Sequence, residues 1–171
     1  MKKTGRIVIC ALLTAISLAL FAVELLIPSF PFIPGAKIGL ANIVVLFMLT
    51  NGSFFRNRDC FLVLVSRCVL SALLTGRMMS ILFSFSGGLL SFVMMIAVRK
   101  ILKEKNVVCI SVSGAVFHNI GQIIVAVCIY GTFSIFYYIP SLFIAGVVCG
   151  ILTGLCVKLM NKSGICKKIF Y

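Results

Sequence analysis

Long apolar runs separated by short polar breaks organise this chain, and no internal repeat is visible. The first run covers about 6–27, after Lys2 and Lys3; it stops at Pro28, and Pro31 and Pro34 prevent the helix from continuing. A shorter run over 38–51 closes at Asn51-Gly52, before the polar stretch Arg56-Asn57-Arg58-Asp59. It reaches only some 20 Å as a helix, so it must tilt, be shielded by neighbours or extend into Phe54-Phe55 to cross a bilayer. Four further helices are predicted over 60–75, 78–98, 107–130 and 139–160. Their breaks are Gly76-Arg77, the basic cluster from Arg99 to Lys105, Gly131 with the aromatic segment Phe133 to Tyr138, and a basic tail with Lys162, Lys167 and Lys168.

Composition turns this pattern into a fold class. Of 171 residues 62% are hydrophobic and 11% charged, and mean hydropathy is +1.24, which excludes a water-soluble globular domain and a disordered tail. At roughly 20 residues per crossing, the length accommodates about five or six helices and no separate soluble domain. The expectation is an all-α membrane protein, one integral membrane domain over 1–171 built as a compact bundle of six transmembrane helices. No cleavable signal peptide is expected, because the first apolar run is too long and lacks a small-residue cleavage site.

The net charge of +13 would point to nucleic acid in a soluble protein. Here the basic residues sort by loop. With both termini on the cytoplasmic side of the cell membrane, Lys2, Lys3, Arg6, Arg56, Arg58, the Arg99 to Lys105 cluster, Lys158, Lys162, Lys167 and Lys168 all fall inside. Lys37 and Arg77 fall outside, and Arg67 falls within a helix. The charge is therefore mostly an orientation signal, with anionic lipid as a by-product contact and no nucleic-acid partner. The eight cysteines form no C-x-x-C pair and sit mainly in apolar stretches, so neither a disulfide nor a metal site is assigned.

Polar residues inside the spans need a reason. Arg67 lies about eight residues into the third helix, too deep for easy placement against lipid, and requires either snorkelling or an interior site. Gly114, His118 and Gln122 are spaced by four on the fifth helix, with Gly121 beside them and Asn119 flanking. Such a stripe faces protein or water, where it either holds the bundle together or touches a ligand. On the fourth helix Ser80, Ser84, Gly87 and Ser91 share a face that suits close packing; the Gly87-Gly88 pair could instead break the helix around a cavity. Glu24, the one acid within a predicted span, should sit near the outer boundary within reach of Lys37 or Arg77. On the first helix Ala11, Ala15 and Ala19 form a smooth face for another helix, from this chain or from a separate membrane subunit.

There is no phosphate-binding G-x-x-x-x-G-K-[ST] loop, no D-D-x-x-D motif and no paired intramembrane acid, and nothing near His118 in the fifth helix would orient it as a base. The chain is therefore not expected to be an enzyme or to bind a cofactor, and any energy from ATP must come from partners.

The segments Pro34-Gly-Ala-Lys-Ile-Gly-Leu-Ala-Asn42, Phe83-Ser-Phe-Ser-Gly-Gly-Leu-Leu-Ser91 and Gly114-Ala-Val-Phe-His-Asn-Ile-Gly-Gln122, with Arg67 between the first two, resemble the Gx transporter family, also named heptaprenyl diphosphate synthase component I. The resemblance covers nearly the whole chain. It implies a substrate-binding S component of an energy-coupling-factor transporter: a six-helix membrane protein with a pocket towards the outside, in which the small-residue face of helix one, here Ala11, Ala15 and Ala19, meets a shared coupling subunit. It carries Lys37, Asn42, Arg67, His118, Asn119 and Gln122 over as substrate-binding positions, and Ser71 stands where glycine would be expected.

Two functions follow as expectations. The first is a subunit that captures a small anionic solute, vitamin-like or related to prenyl or quinone precursors, and relies on coupling and ATPase subunits. The second is a non-catalytic membrane scaffold in heptaprenyl diphosphate or quinone biosynthesis, whose inner basic loops would hold a soluble enzyme. Replacing Arg67 or His118 separates the two, since only the first reading needs them.

Overall fold

The computed structural model describes residues 3–26, 39–76, 78–102, 106–132, 137 and 139–164. Among them the chain forms six α-helices: α1 (Lys3–Leu26), α2 (Asn42–Thr50), α3 (Asn57–Thr75), α4 (Met79–Leu102), α5 (Val107–Tyr130) and α6 (Ile139–Lys162). Four of these, α1, α4, α5 and α6, are long and apolar enough to cross a membrane. The predicted order and number of helices hold. Length and composition support those four of the six predicted crossings; α2 has 9 residues, roughly 14 Å of helix and under half the hydrocarbon thickness. The predicted start of α2 at residue 38 also moves, because Leu40 and Ala41 form a turn ahead of Asn42.

Helix ends follow local chemistry. Gly76 and Gly131, with φ of 65° and 63°, close α3 and α5 in the left-handed conformation that glycine adopts without a Cβ clash. At the start of α3 the Asp59 carboxylate accepts the Arg56 backbone N–H at 2.9 Å and the Arg6 guanidinium at 2.5 Å. Asp59, expected in a loop, is thus a first-turn residue that caps α3 and fixes the N-terminal end of α1.

Neighbouring helices follow chain order, α1 on α3, α3 on α4, α4 on α5 and α5 on α6, while α2 touches all five. Among the described residues α1 and α6 make no contact. The central position of α2 explains its composition: Val44, Val45, Leu46, Phe47, Met48 and Leu49 are consecutive and all buried, which only a helix surrounded on every side can satisfy. The outer helices instead expose Ile7, Leu12, Leu74, Ile144 and Leu159, the surface that lipid requires.

On α1, Thr14 and Ser17 are buried, whereas Ala11, Ala15 and Ala19 are exposed on the opposite side. No helix of this chain covers that alanine face among the described residues, so its use for packing within the chain is set aside. On α4, Gly87 and Gly88 do not break the helix, which runs through them unbroken.

Candidate functional site

Alternate packing rules build the site's two walls. On one side, α4, α5 and α6 approach through glycine. A Cβ on Gly121 would lie 2.8 Å from the Ser86 carbonyl oxygen, and one on Gly150 would lie 2.6 Å from the Val112 Cα. A Cβ on Gly87 would meet the His118 carbonyl oxygen at 2.8 Å and the imidazole at 3.0 Å. Gly87 of α4 therefore makes the space in which the His118 side chain sits, while Gly88 packs on Leu64. Ser86 Oγ donates to the Gly121 carbonyl at 3.1 Å, and the Ser111 and Thr153 hydroxyls bond across α5 and α6 at 2.8 Å.

On the other side, α1 holds the entry to α2 by two polar tethers. Ser17 Oγ, fully buried, donates to the Ala41 carbonyl at 3.0 Å. The Gly39 N–H donates to Glu24 Oε1 at 2.6 Å. Gly39 has φ of 74°, a conformation in which L side chains are strained, and this lets the chain turn into α2 with its amide aimed at the carboxylate. The Asn42 N–H then closes the turn on the Gly39 carbonyl at 2.8 Å. Together these contacts set Asn42 on the first turn of α2, where it lines the same cavities as His118.

Two small cavities meet there, sharing Gly39, Asn42 and His118. The one that holds the charged groups, about 30 Å³, is lined by Phe21, Glu24, Ala41, Arg67, Ser71, Ser84 and Gln122 besides the shared three. The other, about 20 Å³, extends between α4, α5 and α6 towards Ser91, Ser111, Asn119 and Thr153. At roughly 10–15 Å³ per water, each holds one or a few waters, so a larger solute enters only if the walls move apart.

The predicted site residues divide accordingly. Arg67, 7% exposed, and His118, 9% exposed, are both turned into the bundle and face the same cavity; snorkelling of Arg67 to a headgroup is not its conformation here. Gln122 joins them and its amide bonds the His118 Nε2 at 3.1 Å. Asn42 lies at the partition. Asn119 lies on the second cavity, and its amide donates to the Leu142 carbonyl of α6 at 2.8 Å, an interhelical tie. Lys37 lies outside the described residues, as does Arg77. Glu24 meets a backbone amide where pairing with one of those two was expected.

Arg67 is electrostatically exposed in this setting. Among the described residues its hydrogen-bonding partner is the Cys68 sulfur at 3.9 Å, a weak contact for a group with five N–H donors. No carboxylate pairs with it: the one ion pair among the described residues is Arg6–Asp59. A buried guanidinium without a counter-ion is costly, and the natural complement is an acceptor-rich anionic group. Ser91 Oγ is similarly buried, 2% exposed, and without a hydrogen-bond partner.

Sequence reasoning missed Ser17, a single hydroxyl on an otherwise apolar face, and read Ser91 with its neighbours as a packing stripe. The signal for Ser17 was weak, since a serine in a membrane helix most often bonds within its own helix.

A family model described as heptaprenyl diphosphate synthase component I matches residues 13–160. No curated protein and no solved structure matches the chain.

Proposed function

The chain belongs to the heptaprenyl diphosphate synthase component I family, and from that premise we propose that this membrane protein is the solute-binding subunit of a small-molecule transporter energised by partner ATPases. The observation that carries the reading is Arg67: a buried cation with no carboxylate partner among the described residues, lining a hollow with Asn42, His118 and Gln122. The solute bears an anionic group that Arg67 holds, and the Gln122 amide and the imidazole orient it by hydrogen bonds. On this reading the chain itself is not an enzyme, both termini are cytoplasmic, and all six helices belong to the membrane domain, with α2 shielded at its centre.

The partners are a membrane coupling subunit and ATPase subunits, docked through the exposed alanine face of α1. Affinity purification from native membranes tests this. Recovery of those subunits with the wild type, and their loss on Ala15→Leu with an unchanged unfolding midpoint, is the expected result. Because Ala15 faces away from the bundle, the substitution leaves the fold intact.

The family's own description favours a second reading, a scaffold for a prenyl diphosphate synthase. Recovering only a soluble prenyl enzyme, released when the basic residues Arg99, Lys100, Lys158 and Lys162 are neutralised, would decide for it and against the transporter subunit.

A further inference from the structure

Glu24 and Arg67 face one cavity, yet no ion pair joins them. Each is held by its own element. Glu24 Oε1 is fixed on the Gly39 amide at the end of α1, and Arg67 projects from the middle of α3 with the Cys68 sulfur as its hydrogen-bonding partner among the described residues. A carboxylate has about four acceptor sites and a guanidinium five donors, so both charges retain most of their hydrogen-bonding capacity.

The sign of the missing partner follows. A simple anion would satisfy Arg67 but bring like charge towards Glu24; a simple cation would do the reverse. Either leaves one charge uncompensated, at greater cost when it is the buried Arg67 than when it is the half-buried Glu24. A molecule carrying both signs satisfies both groups and adds no net charge. Resting on the solute-binding reading, we propose that the solute is zwitterionic, its anionic group on Arg67 and a cationic nitrogen on Glu24. Glu24 is then a specificity-determining residue as well as the tether of Gly39.

Three probes of similar length separate the possibilities: γ-aminobutyrate, valerate and pentylamine, each added to the detergent-purified full chain while its thermal unfolding midpoint is read. The wild type should be stabilised most by γ-aminobutyrate. Glu24→Gln keeps an acceptor for the Gly39 amide and should make valerate at least as effective as γ-aminobutyrate. Arg67→Met should do the same for pentylamine. The proposal is overturned if valerate stabilises the wild type as strongly as γ-aminobutyrate and Glu24→Gln alters neither. Should no probe move the midpoint, native mass spectrometry decides. A retained molecule lacking either charge overturns the zwitterion alone, one carrying both supports it, and an empty protein removes the solute-binding reading beneath it.

Discussion

The two halves of this bundle are assembled by different means. In α4, α5 and α6 backbones approach through Gly87, Gly121, Gly150 and Gly154, leaving no space for a methyl group. In α1 and α3 the helices meet through side chains, and α1 is pinned to its surroundings by discrete polar contacts at Arg6, Ser17 and Glu24. Close-packed small-residue contacts have no soft mode, whereas polar tethers can be exchanged for a ligand's own hydrogen bonds. The glycine-packed half thus forms one wall of the site by close backbone approach, and α1 with the start of α2 forms the other through exchangeable polar contacts. The charged groups divide the same way: Glu24 and Arg67 lie on α1 and α3, while His118 and Gln122 lie on the glycine-packed wall.

Breaking the glycine-packed wall should have the largest effect. Gly150→Ala places its methyl 2.6 Å from the Val112 Cα, where only backbone displacement can relieve it. A loss of about 1–3 kcal/mol is expected, read as a lower unfolding midpoint; an unchanged midpoint would mean that α5 and α6 are not held at this distance. Next comes the far end of α2. There the Asn161 side chain bonds Asn51 at 2.8 Å and Thr50 at 3.0 Å. Asn161→Ala should cost about 1–2 kcal/mol without altering solute retention, because Asn42 lies at the opposite end of the helix. A parallel loss of solute would show that α2 moves as one piece. The smallest change is Ser91→Ala. Its hydroxyl is buried without a partner, so its removal should raise stability by up to about 1 kcal/mol. A fall in the midpoint instead would indicate that water satisfies the hydroxyl within the adjoining cavity.

Much of this was legible in the sequence, for identifiable reasons. Apolar runs and their Gly, Pro and charged breaks define all six helices, since hydropathy and helix termination are local properties. The four-residue spacing of His118 and Gln122 placed them on one face, as found. What could not be read was which side of each helix meets which neighbour. Ala11, Ala15 and Ala19 have the same spacing whether covered or bare, and the Gly87-Gly88 pair reads equally as a break or as close seats for an imidazole at Gly87 and a leucine at Gly88. The core role of α2 was hidden by its length: a short apolar run looks like a poor crossing until five neighbours surround it. Glu24 was matched to Lys37 or Arg77 because a backbone amide leaves no mark in a sequence, and the Gly39 turn that presents it depends on one left-handed φ.

The central claim is that Arg67 is kept as a buried charge for a ligand and contributes nothing to the fold. Native mass spectrometry of the purified wild type and of Arg67→Met, each with its unfolding midpoint, tests it directly. The wild type should carry a small molecule with an anionic group. The variant should be empty and at least as stable, since an apolar chain of similar length replaces an uncompensated charge. A variant that unfolds more readily yet retains the same molecule at the same occupancy would contradict the account.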